Sequence, residues 1–178
     1  MAKTSFAQTI VSIAPAAADV YTVEILTVKE GRSKAGNSRV YIETEVKYGA
    51  RTEDSQEGCT ISDGFNLPTT GDEKMDDMML RMWMEFFVSV GYDQSEIRKK
   101  GFDFEKMGNK KAFEYLIGRT GFVKYTPADP DEGRKWANRK WLTEAQAGAY
   151  SDARAEIKEA ANVSDDDDND PLGSFLNG

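Results

Sequence analysis

Histidine is missing from this 178-residue sequence, and cysteine occurs once, at Cys59. These two scarcities exclude a Cys/His zinc site, a Ser-His-Asp triad and a Cys-His dyad built within this chain. A single cysteine also forbids an intrachain disulfide, which fits a reducing compartment. Any catalysis would have to use carboxylates, lysine, tyrosine or a carboxylate-bound metal.

Long apolar runs are also scarce. The first 20 residues contain one basic residue, Lys3, and only short apolar runs, so we expect neither a signal peptide nor a transmembrane helix. These features predict a cytoplasmic protein with no membrane partner. Hydrophobic residues make up 39% of the chain and aromatic residues 11%, which is enough for one folded domain with its own core.

The formal net charge of -8 is unevenly distributed. Five of the eight net negative charges come from aspartates within residues 162–178, where lysine and arginine do not occur. A local basic surface is therefore compatible with the acidic total. Basic residues gather in three regions, one with Lys29, Arg32, Lys34 and Arg39, another with Arg98, Lys99 and Lys100, and the third with Arg134, Lys135, Arg139 and Lys140.

The residue pattern predicts a mainly β chain with helices. Residues 39–48 alternate most clearly, with Val40, Ile42, Thr44, Val46 and Tyr48 expected on a buried face and Tyr41 on the other. Turn residues separate the remaining stretches of strand character. The five predicted strands cover about 20–29, 39–48, 59–65, 119–127 and 134–142.

Residues 72–90 instead have helical periodicity, and acidic residues at the start suit the helix dipole. The stripe expected to pack in the core contains Met75, Met79, Met82, Trp83, Phe86 and Val90. A methionine-rich docking face is the alternative, since methionine serves both purposes.

Five short strands with a helix between the third and fourth predict a five-stranded OB-type barrel, an α+β arrangement that is mainly β. This fold binds its ligands on strands two and three and on the loops joining strands one and two and strands four and five. The predicted organisation is an N-terminal extension (1–19), an OB-type domain (20–142), a helix (143–161) and a disordered acidic tail (162–178).

The segment "RKWANRKW" at 134–141 repeats a basic-basic-aromatic unit. Single-stranded nucleic acid is held by cations along its phosphates and by aromatic rings on which its bases stack. In an extended strand Trp136 and Trp141 face opposite sides, so one is expected in the core. The candidate DNA contacts are Lys29, Arg32, Lys34, Arg39, Tyr41, Lys124, Arg134, Lys135, Trp136, Arg139, Lys140 and Trp141. The alternatives are an ordinary exposed tyrosine and merely solvated cations.

The segments "GCTISDGFNLP", "FFVSVGY", "LIGRTGFVKYTP" and "ANRKWL" occur in an order that resembles the small bacteriophage single-stranded DNA-binding proteins, over about residues 20–142. The resemblance implies an OB fold, sequence-independent binding of single-stranded DNA, a role in replication, recombination or repair, and a location in the host bacterial cytoplasm. It implies no cofactor, metal or catalytic residue. A homo-oligomer remains one alternative for the assembly.

The end of the chain, "VSDDDDNDPLGSFLNG", also resembles the acidic tails of such proteins, which recruit replication and repair enzymes and compete with DNA. The tail residues expected to bind partners are Asp165, Asp166, Asp167, Asp168, Asp170, Phe175 and Leu176. The pattern departs from the family in that Leu176, Asn177 and Gly178 follow Phe175. A tail that only improves solubility is the alternative.

Two other classes of protein remain as rivals. The segment "PDEGRK" at 130–135 is superficially similar to the acidic and lysine residues of metal-dependent nucleases, although Asp131 and Glu132 are expected in a turn. A non-catalytic virion or scaffold protein would assemble regularly and show no preference for single-stranded DNA.

Overall fold

A computed structural model describes residues 12–100 and 113–152. Five antiparallel strands form one sheet in the order β3-β2-β1-β4-β5, curled into a half-barrel. The expectation of a mainly β chain with five strands is confirmed. The strands are β1 (Asp19–Arg32), β2 (Ser38–Gly49), β3 (Thr60–Asn66), β4 (Thr120–Thr126) and β5 (Asn138–Leu142).

Helical segments connect and flank these strands. Between β3 and β4 lie α1 (Glu73–Ser89), α2 (Gln94–Lys100) and a 3-10 helix (Glu114–Leu116). Residues 144–152 are helical as far as the structure describes them. Residues 1–11, 101–112 and 153–178 lie outside the described residues, so the predicted extension is covered only in part and the predicted acidic tail not at all.

The long strand β1 organises the half-barrel because it pairs with β4 along its first part and with β2 along most of its length. Its register with β2 shifts between Thr22 and Val23 and again between Ile25 and Thr27. Such bulges bend a strand and increase its twist. The bends let one strand contribute to both halves of a curled sheet.

Strand β2 confirms the predicted alternation, since Val40, Ile42, Thr44 and Val46 are buried. Tyr48 was expected on the same face, and there the prediction is wrong because its side chain is 50% exposed. At the first register shift, Val46 pairs with Val23 and Tyr48 pairs with Thr22. One extra residue on β2 turns the following side chain to the outer face.

Helix α1 begins after Asp72, whose side chain accepts hydrogen bonds from the Lys74 and Met75 amides. It buries Met79, Trp83, Phe86 and Phe87 against the open side of the half-barrel, and the Trp83 indole donates to the carbonyl of Asn66 at 2.9 Å. Ser89 is also buried and bonds to the Phe122 backbone.

The predicted core stripe of α1 is only partly correct. Met79, Trp83, Phe86 and Val90 are buried, whereas Met75 is 41% and Met82 46% exposed. Successive helix residues differ by about 100° around the axis. Met82 therefore lies at the border of the buried stripe, and Trp83 lies near its middle. Part of the methionine set therefore faces solvent.

Strand β5 is shorter than predicted, because residues 134–137 belong to the β4–β5 connection, where Asp129 and Arg134 form an isolated bridge. The two edge strands, β3 and β5, are joined by a side-chain hydrogen bond. The Trp141 indole donates to Asp63 Oδ2 at 2.9 Å, and its ring packs edge-on against Phe86. This contact lies where the half-barrel is open, and we call it the seam.

Candidate nucleic-acid interface

Five sequence-predicted residues lie together at the tip of the β1–β2 hairpin. We call this set the hairpin cluster. Its aromatic member projects from the outer face of the sheet and is 42% exposed, and its four cations belong to the same hairpin. The members are Lys29, Arg32, Lys34, Arg39 and Tyr41.

The Tyr41 ring is held in a defined position. Its hydroxyl donates to the Arg32 carbonyl at 3.1 Å, and its edge lies close over Gly31, where an added Cβ would be 3.0 Å from ring carbon Cε2. A ring fixed at both its hydroxyl and its edge loses less freedom when a ligand stacks on it. Tyr41 is thus a preorganised aromatic surface.

The Arg39 guanidinium is also fixed, lying flat over Gly64 on the neighbouring strand. Its Nη2 donates to the Gly64 carbonyl at 2.9 Å and its Nη1 to Asn66 Oδ1 at 3.3 Å. The guanidinium carbon is 5.4 Å from the centre of the Tyr41 ring. A cation and an aromatic ring are therefore presented side by side.

The other cations of the hairpin cluster lie on the same hairpin as this pair. Lys29 lies directly across from Tyr41 on β1, and Arg32 Nη1 donates to the Gly36 carbonyl at 3.3 Å. Lys34 is exposed in the turn. Within residues 12–100 and 113–152, no carboxylate forms an ion pair with any of these four cations. None of the four cations is therefore neutralised by a direct ion pair within the described residues.

A second set, the β5 cluster, combines Lys124, Lys135, Trp136, Arg139 and Lys140. Lys124 and Lys140 are both exposed and lie directly opposite each other on β4 and β5. Two like charges directly opposite each other destabilise a sheet. A bound anion would relieve the repulsion between the two lysines.

Arg134 is placed differently. Its guanidinium pairs with Glu132 at 3.0 Å and with Asp129 at 3.8 Å, and its Nε donates to the Pro127 carbonyl. These contacts neutralise the charge and hold the β4–β5 turn. Arg134 is therefore better described as a residue that shapes the loop.

Of the two tryptophans of "RKWANRKW", one is exposed and one lies in the core, as expected, although Trp136 lies in the β4–β5 connection and not in the strand. Trp136 is 75% exposed with the Lys135 ammonium 5.8 Å from its ring centre, whereas Trp141 is 6% exposed. Trp141, one of the predicted DNA contacts, is packed in the core, where its ring offers no face to a base. Trp136 remains a candidate.

The structure does not gather all the predicted residues into one site. Lys29 and the partner of Lys124, Val20, are nine positions apart along β1, which corresponds to about 30 Å of extended strand. Between the clusters the outer face carries Glu24, Glu43 and Glu45. Lys47 donates hydrogen bonds to Glu45 and Glu24, and these bonds raise the pKa of the lysine. The positive charge of Lys47 offsets part of the acidic charge of the three glutamates.

Four residues that shape the interface were not singled out from the sequence: Gly31, Gly64, Asn66 and Met78. A glycine within a strand is a signal for close approach by another group. That signal was present at Gly31 and Gly64, but it does not identify which side chain approaches. Asn66 and Met78 carried no signal of their own.

No metal-binding arrangement is found in the described part of the chain. No group of three cysteine or acidic side chains there is placed to hold a metal ion. Asp131 and Glu132 lie in the β4–β5 connection, and Glu132 pairs with Arg134. Among the same residues, no helix has the length and apolarity needed to cross a membrane.

Comparison with known proteins adds no family to this description. No family model matches the sequence, and no curated protein is significantly similar to it. Function must therefore be argued from the two clusters themselves.

Proposed function

We propose that this protein binds single-stranded DNA without sequence preference and acts in phage DNA replication, recombination or repair. The observation that carries the proposal is the fixed Tyr41 ring beside Arg39, on a hairpin whose cations form no ion pair with the described carboxylates. Aromatic rings take up the faces of unpaired bases, and cations follow the phosphates. Every base has a π-face, so such a surface tolerates any sequence.

The fold supports the same proposal. The half-barrel is compatible with an OB-type barrel left open at one side. The features that agree with that fold are the strand order, the antiparallel pairing of β1 with both β2 and β4, and the helix after β3. In that fold, ligands contact strands two and three and the loops after strands one and four. The hairpin cluster lies at and beside the β1–β2 loop, and Lys135 and Trp136 of the β5 cluster lie in the β4–β5 loop, which are positions of this kind.

The experiment is a fluorescence-anisotropy titration of a labelled oligothymidine at two salt concentrations, with a duplex of equal length for comparison. If the four cations of the hairpin cluster each neutralise a phosphate, they should contribute about -3 to the slope of log affinity against log salt, at about -0.7 each. Absence of binding at low salt would refute the proposal.

A matched pair of tyrosine variants tests the aromatic component. Tyr41→Ala should weaken binding at least fivefold, because stacking contributes about 1–3 kcal/mol per base. Tyr48→Ala is the control, since Tyr48 is also exposed on β2 but lies away from the hairpin cluster. Equal losses in the two variants would show that Tyr41 has no special role.

We further propose that the acidic tail recruits replication or recombination proteins, with Asp165–Asp168 and Asp170 acting as a polyanion and Phe175 and Leu176 as the apolar anchor. These residues lie outside the described part of the structure, so the proposal rests on their sequence. Replacing Phe175 and Leu176 with alanine should abolish capture of such proteins while leaving DNA affinity nearly unchanged.

A further inference from the structure

A small groove lies beside the hairpin cluster, between the edge of the sheet and α1. Its sheet side is formed by Arg39, Gly64 and Asn66, and its helix side by Met78 and Met82. We call it the methionine groove. Its volume is about 180 Å³, below the roughly 300–1,000 Å³ of sites for drug-sized molecules. It has room for one ring or one side chain.

The helix side of the groove is an exposed apolar ledge. Met78 is 54% and Met82 46% exposed, and the two are four residues apart, so they share one side of α1. Methionine side chains are polarisable and pack favourably on aromatic rings. A ledge of this kind suits the flat face of a ring.

The sheet side of the groove is polar and rigid. Arg39 Nε is buried and has no hydrogen-bond partner among the described residues, while Nη1 and Nη2 hold Asn66 and Gly64. The guanidinium can take this position only because Gly64 has no side chain, since an added Cβ would lie 2.4 Å from Nε. Asn66 uses its Oδ1 for Arg39, which leaves its amide nitrogen available as a donor.

We propose that the methionine groove holds one unpaired base of single-stranded DNA, stacked on Met78 and Met82 with its polar edge towards Arg39 and Asn66. This inference rests on the proposed function and adds a specific subsite to it. Tyr41 lies directly across from Gly64 in the β2–β3 ladder. A base in the groove and a base on Tyr41 would therefore be close neighbours on one strand, with Arg39 between them.

Charge complementarity favours DNA as the occupant. The nearby cations Lys29, Arg32 and Arg39 have no ion-pair partner among the described residues and suit the phosphates that accompany a base. A helix or strand of a protein partner would need a row of anchor sites, whereas this groove accepts a single group.

The first test replaces both ledge methionines with serine and measures affinity for oligothymidine. The Met78→Ser, Met82→Ser variant should bind about tenfold more weakly, with an unchanged salt slope because no phosphate contact is lost. Met75→Ser is the matched control, since Met75 is exposed on the same helix but does not line the groove. Wild-type affinity in the double variant would overturn the subsite, and this result is also expected if the groove seats an apolar protein side chain.

The second test moves Arg39 without removing it. Gly64→Ala should displace the guanidinium, weaken DNA binding several-fold and reduce the salt slope by about 0.7. Gly148→Ala is the control, since an added Cβ there meets no atom within 4 Å, and it should change neither the DNA affinity nor the salt slope. Equal DNA affinity and salt slope in the two alanine variants would count against the polar wall.

The third test asks directly where the base lies. An oligonucleotide carrying 5-iodouracil is bound and irradiated, and the protein is digested with trypsin, which cleaves after Lys74, Arg81 and Arg98. Crosslinks should appear in peptides 75–81 and 82–98, which contain Met78 and Met82 respectively. Crosslinks confined to other peptides would overturn the subsite, whereas failure of every oligonucleotide to bind wild-type protein would instead refute the proposed function.

Discussion

Removal of the Asp63 carboxylate should open the seam of the half-barrel. Asp63 Oδ2 accepts a hydrogen bond from the Trp141 indole at 2.9 Å, and its Oδ1 accepts one from the Gly64 amide at 2.8 Å. The two partners joined by the first bond are 78 residues apart in sequence. Asp63→Ala therefore removes a long-range link between the edge strands β3 and β5.

The expected cost follows from the burial of the donor. Trp141 is 6% exposed and surrounded by Phe65 and Phe86, so its N–H has no easy access to water once Asp63 is gone. A buried donor left without a partner costs about 1–3 kcal/mol. We expect a loss of about 2 kcal/mol in the free energy of unfolding, or about 7 °C in Tm for a domain of this size.

Urea unfolding followed by circular dichroism measures this loss, and a double-mutant cycle assigns it. Trp141→Phe keeps a ring in the core but removes the donor, so Asp63→Ala should cost at least 1 kcal/mol less in that background. Asp63→Asn keeps an acceptor and should cost less than Asp63→Ala. If the costs of Asp63→Ala and Trp141→Phe simply add, the seam hydrogen bond does not stabilise the fold.

Three further changes test other parts of the molecule. Asp19→Ala should cost about 3 kcal/mol in urea unfolding, because buried Asp19 accepts bonds from the Arg51 amide and from the amide and hydroxyl of Thr52; a cost below about 1 kcal/mol would contradict this. Hydrogen bonds from the Thr70 hydroxyl and amide lower the pKa of Asp76. Its carboxylate therefore stabilises the fold above about pH 4, and this contribution disappears as pH falls through the lowered pKa. Asp76→Asn should make the fall of Tm with decreasing pH shallower, and an unchanged fall would refute this role of Asp76. Deletion of residues 163–178 should raise DNA affinity several-fold at low salt without changing Tm, and equal affinity would mean that the tail does not compete with DNA.

Local pattern was sufficient to predict the strands and the faces of β2. Alternation of apolar and polar residues with a period of two indicates a strand in a sheet that is buried on one side. Val40, Ile42 and Val46 could therefore be assigned to the core from the sequence alone. Tyr48 departs from the pattern because the extra residue of a bulge belongs to the pairing of two strands. No property of either strand by itself reveals that register.

Long-range packing limited the prediction of the candidate site. One exposed and one core tryptophan were expected from alternation along a single strand, but Trp136 lies before β5 begins, so its exposure depends on where the strand starts. The choice of Trp141 for the core depended on Asp63, far away in the sequence. Likewise, the position of Arg39 depends on space above Gly64. A side chain's neighbours across the sheet are set by strand order, which residue spacing does not encode.

The acidic centre of the outer face predicts the path of the DNA between the two clusters. Glu43 lies between Thr27 on β1 and Ser62 on β3. A DNA strand that crosses the centre of β1 would pass Glu24, Glu43 and Glu45, whereas a DNA strand that crosses β3 would reach β5 over the seam. Ser62→Lys and Thr27→Lys add the same charge on opposite sides of Glu43 and should alter the long-range field to a similar extent. If the DNA crosses β3, Ser62→Lys alone should gain a phosphate contact, steepening the salt slope by about 0.7 and raising low-salt affinity several-fold. An equal or larger gain from Thr27→Lys in the same anisotropy titration would place the path over β1 instead.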